Sequence, residues 1–109
     1  MSFDWLSSAT EVGVDTETKD PHLRSKGPGV FRKDGYVVGV SLATKEKAVY
    51  FDIAHPDTTP ERKERNLRII KDILAKPTRK VGANIVYDLD WLVNNMGIEV
   101  KGPFEDIQY

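Results

Sequence analysis

The sequence predicts one α/β domain of 109 residues built on a mixed β-sheet. Three strand-like segments come first along the chain, which favours a meander of neighbouring strands. Helical and strand-like segments alternate after them, so the predicted element order is β-β-β-α-β-α-β. The chain has no cysteine and no apolar run close to the roughly 20 residues that span a bilayer. A disulfide framework, a thiolate metal site and a membrane-spanning helix are therefore excluded.

The first half of the chain carries the three strands. Alternating valines in "EVGVDT" (11–16) predict the first strand. The segments 36–44 and 48–54 also read as strands, and only "KEK" lies between them. Such a short connection predicts an antiparallel hairpin. A loop at 27–35, rich in Gly, Lys and Arg, joins the first strand to this hairpin.

The second half begins with a helix inside residues 56–77. Thr58 and Glu61 have the spacing of a capping box, and Pro77 closes the helical run. One face of this helix is predicted to be buried through its apolar side chains, which are Leu67, Ile70, Ile73 and Leu74.

A short strand at 79–84 leads into a second helix at 85–97, which ends at Gly97. Its apolar face is predicted from i, i+3, i+4 and i+7 spacing and contains Leu89, Leu92, Val93 and Met96. Residues 102–109 are predicted to form the last strand.

Charge is unevenly distributed along the chain, although its net value is only −1. Residues 61–80 contain eight Lys or Arg against three acids, and residues 84–109 contain one Lys against five acids. Basic blocks beside an acidic centre suit a metal-dependent enzyme that acts on a polyanion, whereas two solvated surfaces are the other interpretation. The N-terminus lacks the basic region of a signal peptide, so we expect a cytoplasmic protein.

Three carboxylates are the candidate site. Asp15 and Glu17 share one face of the first strand, and we expect them at its end, where two acids need a cation or a basic partner. Mg²⁺ and Mn²⁺ prefer such oxygen ligands. Asp88 falls near the start of the second helix, close to its buried face. Asp88 could instead interact with the helix dipole, and Asn84 could be the N-cap of that helix.

These residues carry a resemblance to a known family. The segments "VDTETKDPHLRSKGPGVFRKDGYVVGVSLAT", "AVYFDIAHPD" and "VGANIVYDLDWLVNNMGIEVKGPFED" are similar to the proofreading 3′→5′ exonuclease domain of family A DNA polymerases, and especially to phage-encoded versions. The similarity extends from about Val12 to Asp106. The family belongs to the RNase H-like superfamily of four-carboxylate exonucleases, so the resemblance implies an RNase H-like sheet.

The resemblance also implies the chemistry of the site. Asp15 and Glu17 match the first family motif, and Asp88 matches the acid of the second. These three would be the catalytic, metal-binding residues for two Mg²⁺ or Mn²⁺ ions that hydrolyse the last phosphodiester of a DNA 3′ end. Single-stranded DNA is expected to contact two residues beside these acids and four residues of the stretch 24–33, the basic loop, namely Thr16, Asn84, Arg24, Lys26, Arg32 and Lys33.

The resemblance further implies a third motif on a later helix, with a fourth Asp, that should follow Asp106 and is absent from the 109 residues. We therefore expect a sheet truncated before its C-terminal helices and a partly occupied metal site. The missing part would come from a polymerase region or another chain, and the last strand would self-associate through Phe104 and Ile107. Little activity is expected from this chain alone.

A ribonuclease of the same superfamily and a non-catalytic nucleic-acid-binding or assembly module remain alternatives. His55 is expected to be structural.

Overall fold

The structure is a computed structural model that describes residues 3–29 and 34–107. Its strands are β1 (Glu11–Lys19), β2 (Tyr36–Ala43), β3 (Ala48–Asp52), β4 (Arg79–Gly82) and β5 (Phe104–Asp106). They form one sheet in the order β3-β2-β1-β4-β5. The β1–β2 and β2–β3 pairs are antiparallel, and the β1–β4 and β4–β5 pairs are parallel. The predicted mixed sheet, the strand order along the chain and the hairpin are confirmed.

In the part of the chain that the structure describes, four α-helices accompany the sheet, and they are α1 (Asp4–Ser7), α2 (Leu23–Lys26), α3 (Pro60–Leu74) and α4 (Ile85–Leu89). Helices α1 and α2 were not predicted, because a single turn is too short to show a helical repeat of apolar residues. Within the residues that the structure describes, no helix is long and apolar enough to cross a membrane.

The start of α3 lies one residue later than the capping-box prediction. Thr59, not Thr58, is the N-cap, and its hydroxyl accepts a hydrogen bond from the Arg62 backbone N–H at 3.1 Å. Pro60 occupies the first helical position, where its missing N–H costs nothing. The Thr58 hydroxyl instead donates to Asp52 Oδ2 at 2.6 Å, which ties the end of β3 to the start of α3. The predicted buried positions Ile70, Ile73 and Leu74 are confirmed.

Helix α4 continues as a π-helical segment, Asp90–Asn95, and this changes which side chains are buried. The Met96 N–H bonds to the Trp91 carbonyl five residues earlier, at 3.0 Å. A wider turn shifts the face that the following residues present. Trp91 and Leu92 are therefore fully buried, while Val93 is 44% exposed. The prediction that Val93 belongs to the apolar face was wrong for this reason.

One face of the sheet holds the core. Val12 and Val14 of β1 are buried on that face with side chains from β2, β3, α3 and the π-helical segment, including Val40, Leu42, Phe51, Ile70, Leu74, Trp91 and Leu92. The other face carries the small residues Gly13 and Ala43, which line an open cavity of about 780 Å³ together with Val81 and Ile107.

Lys80 is a charged residue inside this core. Its side chain is completely buried, and its ammonium group donates to the carbonyl oxygens of Lys76 and Thr78 just after α3. Burial lowers the pKa of Lys80, because the charged form loses its hydration. Lys80 is therefore buried and adds no charge to the surface, although it belongs to the basic block 61–80 in sequence.

Candidate active site

The first strand extends further than predicted, and this positions its acids. We expected β1 to end near Asp15, but it continues to Lys19, so Asp15 and Glu17 lie inside the strand. Strand β4 pairs with β1 only from Glu11 to Gly13. Beyond that point the β1 backbone has an edge that β4 does not cover. Asp15 and Glu17 are both exposed there.

Asp88 fills the uncovered edge of β1. Its Oδ1 accepts hydrogen bonds from the Thr16 backbone N–H at 3.2 Å and from the Thr16 hydroxyl at 2.5 Å. Only 3% of Asp88 is exposed. Burial raises the pKa of Asp88, the two bonds from Thr16 oppose this, and the negative charge of Asp15 raises it further. The burial of Asp88 agrees with its predicted position close to the buried face of the helix, and its role beside Asp15 stays a prediction.

Glu17 is held by two residues from the β3 side of the sheet. Tyr50 donates its hydroxyl proton to Glu17 Oε1 at 3.0 Å. His55 Nε2 lies 2.6 Å from the Tyr50 oxygen and 3.5 Å from Glu17 Oε1. Burial raises the pKa of Tyr50 to about 12, and the hydrogen bond to the Glu17 carboxylate acts in the same direction. His55 was expected to be only structural, yet it contacts this candidate site.

Tyr87, directly before Asp88, connects the site to the basic loop. Its hydroxyl lies 2.9 Å from the Thr18 hydroxyl and donates to Asp20 Oδ2 at 3.1 Å. Asp20 also accepts from the Gly29 N–H at 3.1 and 3.0 Å, which closes the base of the loop. The loop that contains α2 is thus anchored within one residue of Asp88.

The residues that are candidates for DNA contact differ in their exposure and position. Arg24 and Lys26 are exposed on α2. Arg32 and Lys33 lie outside the described residues. The Thr16 side chain is half-buried, and its hydroxyl bonds to Asp88. It is therefore less available to a ligand than the exposed Asn84.

Asn84 is exposed but does not cap α4 through its side chain. Its backbone is left-handed, with φ 54° and ψ 52°, a conformation that Asn tolerates better than most residues. No hydrogen bond from the Asn84 side chain to the first turn of α4 occurs in the described structure. The interpretation of Asn84 as the N-cap residue of α4 is therefore confirmed for its position, although the left-handed backbone does not place the side chain for a capping hydrogen bond. Its N–H donates to Asp106 Oδ1 at 2.9 Å.

The three carboxylates are not gathered into one ready metal site. Across residues 3–29 and 34–107, no group of three His, Asp or Glu side chains has the arrangement needed to hold a metal ion. Asp88 bonds to Thr16, and Glu17 bonds to Tyr50. The donor chemistry nevertheless fits a hard divalent cation, because these three side chains offer carboxylate oxygens. Glu17 has a side chain that is 56% exposed and can turn toward such a cation.

Tyr50 and His55 are the site residues that sequence reasoning missed. A signal was present in Gly39, which interrupts an otherwise regular strand. A glycine inside a strand often marks a close approach by another group. A Cβ at Gly39 would lie 2.0 Å from the Tyr50 hydroxyl, so the glycine leaves room for the Tyr50 side chain to cross β2 and reach Glu17.

Known proteins are similar to this chain in sequence and in fold. Residues 3–109 match the family described as "3'-5' exonuclease" of A-type DNA polymerases. The chain is 34% identical over 123 aligned residues to a DNA-directed DNA polymerase of Pseudomonas phage M6. That alignment covers 99% of this chain and 18% of the polymerase, so the chain spans about a fifth of its relative's length.

Three solved structures with a similar fold are each 20% identical in sequence and each overlap 94% of this chain. RNase D of Trypanosoma brucei in complex with RNA U12 has a TM-score of 0.67 and is covered to 32%. The catalytic core of RRP6 from the same organism has a TM-score of 0.63 and is covered to 24%. The EXD2 exonuclease domain has a TM-score of 0.60 and is covered to 46%. The sheet is thus that of RNase H-like exonucleases, and the chain belongs to the 3′–5′ exonuclease domain family of A-type DNA polymerases.

Proposed function

We propose that this exonuclease domain removes nucleotides from the 3′ end of single-stranded DNA, with Asp15, Glu17 and Asp88 holding Mg²⁺ or Mn²⁺. The observation that carries the proposal is the buried Asp88, whose carboxylate bonds to Thr16 of β1, between the exposed Asp15 and Glu17. A buried carboxylate is costly to ionise, and a divalent cation bound to it would offset that cost.

When bound, the cation would supply activated water and neutralise charge on the scissile phosphate. The chain's own residues supply the positioning. Thr16 orients Asp88 through two donors, one of which belongs to the strand backbone and is therefore fixed by the sheet. Tyr50 orients one oxygen of Glu17. These contacts limit the orientations of two of the three proposed ligands, and binding of the cation would bring the three carboxylates together.

The basic loop is proposed as the path of the DNA strand. Arg24 and Lys26 are exposed, and Asp20 and Tyr87 tie their loop to the helix that carries Asp88. Arg32 and Lys33 continue the same charge in sequence and are expected to add phosphate contacts. The exposed side chain of Asn84 and the β1 backbone at Thr16 are proposed to contact the terminal nucleotide.

The partners follow from the relatives. Because the phage relative is a DNA polymerase, we propose proofreading beside a polymerase, in the cytosol of a bacterial cell infected by a phage. The exposed Phe104 and Ile107, at 46% and 38%, adjoin the outermost described strand of the sheet. They are proposed to contact another polypeptide segment or a second copy of the chain.

Single-turnover digestion tests the function. Protein in excess over a 5′-labelled DNA oligonucleotide, with Mn²⁺, should shorten the DNA from its 3′ end, slowly but measurably. Asp88→Asn should abolish the shortening while Asp90→Asn, a matched change outside the proposed site, should not. Shortening that survives Asp88→Asn, or that requires no divalent cation, would refute the proposal. Faster digestion of the RNA oligonucleotide of the same sequence would favour the ribonuclease alternative.

A further inference from the structure

We propose that Tyr50 and His55 are positioning residues that fix the Glu17 carboxylate for the cation. This inference rests on the proposed function, because it requires Glu17 to be a metal ligand. It concerns side chains on β3 and in the following turn, away from the strand and helix that carry the three acids.

The proton count defines the direction of these hydrogen bonds. The Tyr50 hydroxyl has one proton, and it donates that proton to Glu17 Oε1 at 3.0 Å. The contact of 2.6 Å between the Tyr50 oxygen and His55 Nε2 must then be made by an Nε2–H that donates to tyrosine. His55 therefore orients Tyr50, and Tyr50 orients Glu17. Among residues 3–29 and 34–107, Tyr50 and His55 both contact Glu17 through Oε1, and we propose that Oε2 binds the cation.

The protein backbone is shaped to keep Tyr50 in this position. The ring crosses β2 at Gly39, where any Cβ would lie 2.0 Å from the hydroxyl. Tyr50 also packs edge-on against the His55 ring, with ring centroids 5.6 Å apart and an interplanar angle of 80°. A side chain that spans three strands through a gap in the middle one has few alternative rotamers.

His55 is in turn fixed by the connection between β3 and α3. The backbone N–H of His55 donates to the Thr58 hydroxyl at 3.1 Å, and the Thr58 hydroxyl donates to the Asp52 carboxylate. Arg62 closes this group with bonds of 2.8 and 2.7 Å to Asp52 Oδ2. Glu17 is thus connected through Tyr50 and His55 to the hydrogen-bonded group at the N-terminus of α3. Groups that orient a metal-binding carboxylate in this manner commonly set metal affinity.

The test is the affinity for Mn²⁺ alone, measured by the electron paramagnetic resonance signal of the free ion without nucleic acid. Tyr50→Phe keeps the ring and removes the hydroxyl, and we expect Mn²⁺ to bind about 10-fold more weakly or worse. His55→Gln, which can still donate to tyrosine, should lose less affinity than His55→Ala. Tyr36→Phe is the matched control, since Tyr36 is exposed to a similar extent and should leave the affinity unchanged.

The outcomes separate this inference from the proposed function. If Glu17→Gln weakens Mn²⁺ binding and Tyr50→Phe does not, the positioning role is wrong and the metal site stands. If Glu17→Gln and Asp88→Asn both leave Mn²⁺ binding unchanged, the proposed function itself fails. Tighter Mn²⁺ binding by Tyr50→Phe would also overturn the inference, because it would mean that Tyr50 holds Glu17 away from the cation. Circular dichroism of each variant confirms that the fold is retained.

Discussion

Thr16→Val tests whether Thr16 supports the buried carboxylate of Asp88. Valine keeps the shape and the β-branch of threonine, so the change removes the hydroxyl donor to Asp88 Oδ1 and little else. The backbone donor at 3.2 Å remains. A hydrogen bond is worth about 1 kcal/mol with a neutral acceptor and up to about 3 kcal/mol with a charged one. We therefore expect a loss of about 2 kcal/mol in the free energy of unfolding.

This loss can be read as a change in melting temperature. The entropy of unfolding is about 2.1 cal/mol/K per residue near 60 °C, so 109 residues give about 0.23 kcal/mol/K. A loss of about 2 kcal/mol then lowers Tm by about 9 °C. Thermal unfolding followed by circular dichroism, without divalent cations, measures it.

Two controls make the measurement specific to the pair. Thr16→Ser keeps the donor and should recover most of the stability. In an Asp88→Ala background the hydroxyl has lost its acceptor, so Thr16→Val should cost much less, which gives a coupling energy between the two sites. The reasoning is refuted if Thr16→Val lowers Tm by under about 2 °C, or if the cost is the same in both backgrounds.

Three further predictions concern pH, DNA and association. The Thr58 hydroxyl is the main cause of a lowered pKa at Asp52, so this carboxylate stabilises the fold above its unfolded pKa of about 3.9 and stops doing so as pH falls through the lower folded value. Urea unfolding should show Asp52→Asn less stable than wild type at pH 7, with the difference vanishing in acid; a difference that grows in acid would contradict this. Replacing Arg24 and Lys26 by Gln should reduce the slope of log affinity for single-stranded DNA against log salt by about 1.4, and an unchanged slope would exclude these contacts. Phe104→Ser should shift sedimentation toward the monomer, whereas equal sedimentation of both proteins at high concentration would show that Phe104 makes no contact between copies.

The parts of the fold with a regular repeat could be predicted from the sequence. The alternating valines identified β1, and the spacing from Ile70 to Leu74 identified the buried face of α3. The outward turn of Val93 could not be predicted, because a single wider turn leaves no mark on an i, i+3, i+4 pattern. Likewise, the sequence offers Thr58 through its spacing to Glu61 and Thr59 through the following Pro60, and in the structure Thr58 bonds to Asp52 while Thr59 caps α3.

The candidate site was predictable for the acids but not for what holds them. The acids at 15, 17 and 88 follow strand and helix patterns that are readable along the chain. The hydrogen bond from Tyr50 to Glu17 depends on strand register and on the space above Gly39, which are properties of the assembled sheet. The sequence predicts Asp15 and Glu17 at a strand end, because acidic residues have low strand propensity. In the structure β1 instead continues to Lys19, held by its pairing with β2.

The π-helical segment after α4 contains a buried tryptophan, whose fluorescence can report on the helix that carries Asp88. It brings the indole of Trp91 into the core, with its ring centroid 6.4 Å from that of Tyr87. The second tryptophan, Trp5, is partly exposed, and the Lys47 ammonium lies 5.6 Å from its ring centroid. Trp91 should therefore emit at shorter wavelength than Trp5. In a Trp5→Phe background, the remaining tryptophan fluorescence comes from one side chain three residues after Asp88, so the packing around this acid can be followed in real time without a label.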